Sequence, residues 1–296
     1  MNIFVVMRRS MWVAALAALL LQGATAFAKG DLPPLLEKRN VHGMWWAGPA
    51  EAGWGIYLSD QGEELFASWF TYDLDGSPMW VVMPDGHYDF SRGEYRGPLY
   101  RGSGPAFNAE PWDASAVQMR YVGEATLRFD SEGGDFSYTF VSGQTQRKRI
   151  SRYVFGSQEP QCVHGAAQGS EPNYTDMWWH PAGIEAGWAL DIDHQGESLF
   201  AAWFTYGDDG ADDWLVIPVA VRISESVYSG RIYRMRGPPY DARPWSPALV
   251  TATDVGNATL YFADRDNGTF SYVVDAIAGS KLITRYVFAR PASACQ

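Results

Sequence analysis

Glu51 and Glu185 are the residues best suited to acid–base chemistry, because each lies between a proline and a Gly-Trp pair at the same point of two similar segments. A carboxyl packed against tryptophan can be held protonated and serve as a general acid. Glycoside hydrolysis also needs a second carboxylate facing it across the bond. The other duplicated acids, Asp75/Asp209 and Glu63/Glu197, sit in or beside turns. A loop-fixing hydrogen bond is therefore the favoured role of the glutamates, with a carboxylate-dependent glycan hydrolase as the alternative. Trp46, Trp112, Trp179 and Trp245 lie close to prolines in expected loops, where binding residues gather. Aromatic platforms of this kind suit the apolar faces of a glycan or a small amphiphilic ligand. Arg152 and Arg285 alternate with Ile150/Val154 and Ile283/Val287, so they are candidates to clamp a ligand carboxylate or to pair with an acid. The opposing reading places them, with Lys148 and Lys281, on a solvated strand face.

No metal or cofactor is expected. His42, His87, His164, His180 and His194 have no counterparts in the other segment, and no HExxH or CxxC spacing occurs. Glycine-rich phosphate loops are missing as well. Asp73 to Gly76 and Asp208 to Gly210 carry fragments of a calcium loop without its later carboxylate, and they read as hairpin turns.

The elements that must position these residues come in two copies. Residues 65–80 (LFASWFTYDLDGSPMW) return as residues 199–214 (LFAAWFTYGDDGADDW). Twelve of the thirteen tryptophans fall into equivalent pairs, 45/178, 46/179, 54/188, 69/203, 80/214 and 112/245, so the duplication extends well beyond one hairpin. Short runs with period-two alternation are divided by turn residues, and no stretch keeps a helical period. Trp54 and Trp69 fall on faces expected to be buried. The strand from Leu65 to Tyr72 is apolar on both sides, which requires a core on one side and a loop, the sister repeat or a ligand on the other. The pattern gives about eight sequential antiparallel strands per copy. An up-and-down barrel removes the exposed edges of such a meander and is preferred to a two-sheet sandwich. The repeats span 41–156 and 173–289, joined by a Gly-, Pro- and Ser-rich linker at 157–172.

Residues 1–28 have the basic start, apolar run and Ala26-Phe27-Ala28 end of a secretory signal, so export to the periplasm or the outside is expected. No later stretch is apolar enough to span a bilayer. Removing this segment takes away two arginines and no acid, moving the formal charge from −11 to −13. Such acidity argues against nucleic acid as a partner. The two cysteines, Cys162 and Cys295, follow the repeats at equivalent places and are able to pair in an oxidising compartment; two separate thiols or an intermolecular bond are the alternatives.

The blocks WWxxPxExGWG and DQGEELFASWFTYDLDGSPMW, with NYTDMWW and DHQGESLFAAWFTY in the second copy, resemble a tandem repeat of exported bacterial proteins of undefined biochemical function. The resemblance covers nearly the whole mature chain and implies an envelope or secreted β protein. The second copy departs from the pattern at Asp212-Asp213, in place of Pro78-Met79, and at Ala189, in place of Gly55. Gly43-Met44-Trp45 is also similar to the first-strand GxW of lipocalin and avidin barrels, although Asp176 replaces the glycine in the second copy. The sequence thus favours a non-catalytic binding module, with a hydrolase or an envelope scaffold as alternatives.

Overall fold

The computed structural model describes residues 38–156, 159–167 and 169–296, so the expected signal segment lies outside the described residues. Each repeat closes into an antiparallel eight-stranded barrel. The first contains β1 (Gly43–Trp46), β2 (Gly55–Gln61), β3 (Glu64–Tyr72), β4 (Pro78–Asp89), β5 (Glu94–Ser103), β6 (Gln118–Phe129), β7 (Gly134–Phe140) and β8 (Thr145–Arg152). Closure runs through β1, where Trp45 pairs with Ile56 of β2 on one side and with Arg152 of β8 on the other. After the short β9 (Cys162–His164), the second barrel repeats the order with β10 (Asp176–Trp179), β11 (Ala189–Gln195), β12 (Ser198–Tyr206), β13 (Asp212–Ser224), β14 (Val227–Arg236), β15 (Thr251–Phe262), β16 (Asn267–Val274) and β17 (Ile277–Arg285). The last strand, β18 (Ser293–Cys295), pairs with β9, and a Cys162–Cys295 disulfide joins residues that lie directly opposite each other. Among the described residues no helix is long and apolar enough to cross a membrane.

Strand alternation explains both layers of packing. Trp69 points inward, its ring 5.1 Å from Phe136 and 4.7 Å from Tyr138. Trp203 fills the second barrel in the same way, 5.0 Å from Phe270 and 4.7 Å from Tyr272. The opposite face of β3 meets the sister barrel, with Phe70 packed 5.0 Å from Trp214. Trp80 donates its indole N–H to the Thr205 carbonyl at 2.9 Å, and Trp214 answers with Thr71 at 2.8 Å. The sister repeat is thus the second cover that a strand apolar on both faces demands. Each large aromatic side chain buried there contributes roughly 1.5–3 kcal/mol.

Two loop exchanges lock the barrels together. The 104–117 loop of repeat one carries Phe107 into the second barrel, against Trp203 and Tyr272, and its backbone N–H bonds Tyr206. The 237–250 loop of repeat two returns the gesture: Tyr240 packs on Phe140 in the first barrel and bonds Tyr72. Gly53 and Gly187 make room for these loops. A Cβ at Gly53 would lie 2.5 Å from the Val250 side chain, and one at Gly187 would lie 2.4 Å from Val117.

The chain segments after each barrel are also exchanged. The Gln195 side chain donates to Tyr153 O and accepts from the N–H groups of Phe155 and Gly156. Gln61 makes the same three bonds to Tyr286, Phe288 and Ala289. Each glutamine satisfies backbone groups that no strand partner serves, and so fixes the sister repeat's tail at the seam.

Candidate functional site

Among the described residues the first barrel's interior is filled, and open spaces lie outside it, two of them along the seam. A cleft of about 340 Å³ opens between β1 and β2 of the first barrel and β13 and β14 of the second. Repeat one supplies Trp46, Trp54, Phe70 and Tyr153, and repeat two supplies Phe200, Trp214, Tyr233 and Met235. The same arrangement with the repeats exchanged forms a second cleft of about 230 Å³. There Trp179, Trp188, Phe204 and Tyr286 come from repeat two, and Phe66, Trp80, Val82 and Met119 from repeat one. Among the described residues neither cleft is lined by a charged side chain. The first is in the usual size range of small-ligand sites, roughly 300–1,000 Å³, and the second falls below it.

Trp46 and Trp179 remain partly exposed in these clefts, their rings 5.1 and 4.6 Å from Tyr153 and Tyr286. β1 and β10 position them by turning the preceding residue, Trp45 or Trp178, toward the barrel while the next one faces the seam. The other two loop tryptophans have gone elsewhere. Trp245 enters the end of the first barrel and donates to Ala52 O at 3.1 Å, while Trp112 enters the second and donates to Ala186 O at 3.1 Å.

Those insertions complete two cation cages. Lys148 Nζ sits 5.0 Å from the Trp54 ring centroid and 5.4 Å from that of Trp245, and pairs with Glu51 at 2.6 Å. Lys281 lies 5.0 Å from both Trp188 and Trp112 and pairs with Glu185 at 2.7 Å. Both glutamates also accept an indole N–H, from Trp54 and Trp188 respectively. Partial burial works to raise the Glu185 carboxyl, but the Lys281 hydrogen bond and charge hold it below its ordinary value. The alternative reading of Glu185 as a protonated general acid is not supported, because the Lys281 charge and hydrogen bond favour the ionised form. The solvated strand face, the opposing reading for the lysines, does not hold: both are largely buried.

Arg152 and Arg285 serve the chain entering each barrel. Arg152 lies over the Trp45 ring at 4.9 Å and donates to the carbonyls of Asn40 and His42, with Glu159 at 3.0 Å. Arg285 lies over Trp178 at 5.0 Å and donates to Asn173 and Thr175, with Asp176 at 3.0 Å. Neither lines a cleft. Of the eight residues singled out in the sequence, Trp46 and Trp179 line clefts, Glu51/Trp245 and Glu185/Trp112 meet in the cages, and the arginines stand apart.

Sequence reasoning did not single out Gln61 and Gln195, and it did not place Lys148 and Lys281 in cages. Their equivalent placement relative to the duplicated Trp and Glu was the available signal. Among the described residues no group of three or more His, Cys, Asp or Glu is arranged to hold a metal ion. The class defined by this fold is a duplicated eight-stranded barrel pair with reciprocal loop exchange and twin aromatic clefts. Comparison with protein-family models, with curated proteins and with solved structures gave no match.

Proposed function

We propose that the protein is an exported, non-catalytic binding module that holds a small amphiphilic ligand in its seam clefts, with the apolar part against Trp46 or Trp179. The observation that carries this reading is the twin cleft itself, built twice from equivalent positions and lined almost wholly by apolar and aromatic side chains. Filled protein interfaces seldom leave such space, and an apolar cavity gains by taking up an apolar group. A glycan is the less favoured ligand, since its hydroxyls need side-chain partners that the cleft walls scarcely offer. Export rests on the expected signal segment and agrees with the disulfide.

Titration of the mature protein with the neutral dye N-phenyl-1-naphthylamine should give saturable dye emission and altered tryptophan emission. Trp46→Ala should weaken the tighter site by at least about tenfold, given that burying an aromatic contact is worth more than 1.4 kcal/mol. Absence of saturable binding, or binding untouched by Trp46→Ala and Trp179→Ala together, rejects the reading.

A further inference from the structure

Beside the second cleft lies an unpaired buried carboxyl that the first has no counterpart for. Asp191 occupies the β11 position equivalent to Tyr57 in β2, two residues along from Ala189 on the same strand face. Ala189 lines the second cleft, as does Met177, which pairs directly with Asp191 across β10 and β11. Ser68, another lining residue, lies beside Asp191 without reaching hydrogen-bonding geometry. Three neighbours of this carboxyl group thus form cleft wall, which puts it at the cleft's inner end.

Asp191 is fully buried, and among the described residues neither of its carboxyl oxygens has a hydrogen-bond partner. Other acids of the seam are served. Asp193 accepts from Met44 N–H and the Gln195 side chain, Asp212 from Trp80 N–H and Arg101, and Asp60 from Lys38. At the equivalent position of the first repeat the Tyr57 hydroxyl meets His42 Nε2 at 3.3 Å, and in the second repeat Ala202 stands where the first has Ser68. An unpaired buried carboxyl costs several kcal/mol as an ion and about 1–3 kcal/mol even as a neutral acid, so its retention calls for a partner. Burial and the nearby Asp176 charge push it well above the ordinary carboxyl range, against the Ser68 hydroxyl. A donor arriving through the cleft supplies what the chain does not.

Building on the cleft-binding reading above, we propose that the second cleft takes an alkylamine-type amphiphile, its tail against Trp179 and Trp188 and its amino head at the Ser68–Asp191 pair. The acidic surface, at a formal net charge of −11 for the full chain, favours the approach of cations over anions. Among the described residues no cation lines the cleft to receive an anionic head, and Lys281 is held behind Trp188 by Glu185.

Octylamine and octanoate, of equal chain length, separate the head groups. In a Trp46→Ala background, which weakens the first cleft, octylamine should displace N-phenyl-1-naphthylamine from the second at least tenfold more tightly than octanoate. Asp191→Leu should reduce that preference to about twofold or less while keeping dye binding. Asp191→Asn should do the same and carries the test if the leucine variant does not fold. In a Trp179→Ala background the first cleft should show a weaker preference, since the general acidic field acts on both. Equal binding of amine and octanoate at the second cleft, or a preference that survives both Asp191 variants, overturns the assignment. If the dye binds both clefts but the preference is missing, only the head-group assignment fails. If the dye binds neither cleft, the cleft reading falls and takes this one with it.

Discussion

The two clefts are made from the same positions, yet they differ where a ligand would sit. Gly55, Tyr57, Met235 and Ala252 around the first become Ala189, Asp191, Gly102 and Met119 around the second. The interlock shows no such divergence: each half supplies one glutamine staple, one inserted tryptophan and one caged lysine. Matched elements hold the barrels together, and unmatched ones shape the space between them. A structural part must satisfy the same geometry twice under the pseudo-twofold exchange, whereas a cleft wall facing open space is under no such demand.

The largest effect should come from breaking the exchange on its better-buried side. Trp245 is 7% exposed and caps a lysine, while Trp112 is only partly buried. Trp245→Ala should cost about 3–5 kcal/mol and Trp112→Ala about 2 kcal/mol, read from urea denaturation. Hydrogen exchange should show the damage in the opposite barrel, with Trp245→Ala opening amides of β2 and β8 before those of β15. Damage confined to the mutated repeat would break the picture of reciprocal exchange.

A smaller effect separates the repeats by pH. Where repeat one has Ser59-Asp60, repeat two has Asp193-His194, both buried. Burial pushes Asp193 up to about 6 from 3.8, against the Met44 N–H it accepts. The folded protein thus holds this proton longer than the unfolded chain, and stability is lost as pH rises from about 3.8 through 6. His194 is held down to about 4 from 6.5, chiefly by burial, with Nδ1 accepting the Tyr174 N–H at 3.2 Å. The unfolded chain takes up that proton first, so stability is lost as pH falls from 6.5 toward 4. The two slopes oppose each other within one window. His194→Gln should leave stability declining with rising pH between 4 and 6, and Asp193→Asn should leave it declining with falling pH, each by up to about 1.4 kcal/mol per unit. Urea midpoints from pH 4 to 7 compare the two variants directly, and parallel profiles would refute the balance.

Much of the frame was legible because period-two alternation and duplication are local signals. Leu65, Ala67 and Trp69 announced a barrel wall, and the Asp-Gly turns announced the hairpins, with Gly76 and Gly210 at φ of +79° and +75°. The equivalent spacing of Cys162 and Cys295 permitted the disulfide without requiring it. The exchange was not legible, since Trp112 and Trp245 beside prolines look alike whether they pack on their own barrel, a ligand or the neighbour. Lys148 and Arg152 share strand alternation with solvated residues, and only the third dimension reveals that a tryptophan from the other repeat covers the lysine. Asp191 is hidden for a related reason: its unusual character lies in partners it lacks, and sequence records partners no better than their absence.

The finest difference between the clefts is one methyl group. Gly55 contacts the Phe70 ring so closely that an added Cβ would lie 2.5 Å from its Cζ, while Ala189 carries that methyl in the second cleft beside Phe204. Gly55→Ala should push Phe70 into the first cleft and bring it toward the smaller one in size. The expected cost in stability is about 1–2 kcal/mol, as for other overpacked sites. Dye affinity at the first cleft should drop several-fold, with the second unchanged. Ala189→Gly should act in the opposite sense at the second cleft, by less than about 1 kcal/mol in binding, since one methyl is worth no more than a buried methylene. If both substitutions leave the two affinities where they were, the unequal volumes do not govern binding, and the difference between the clefts reduces to the head-group chemistry of Asp191.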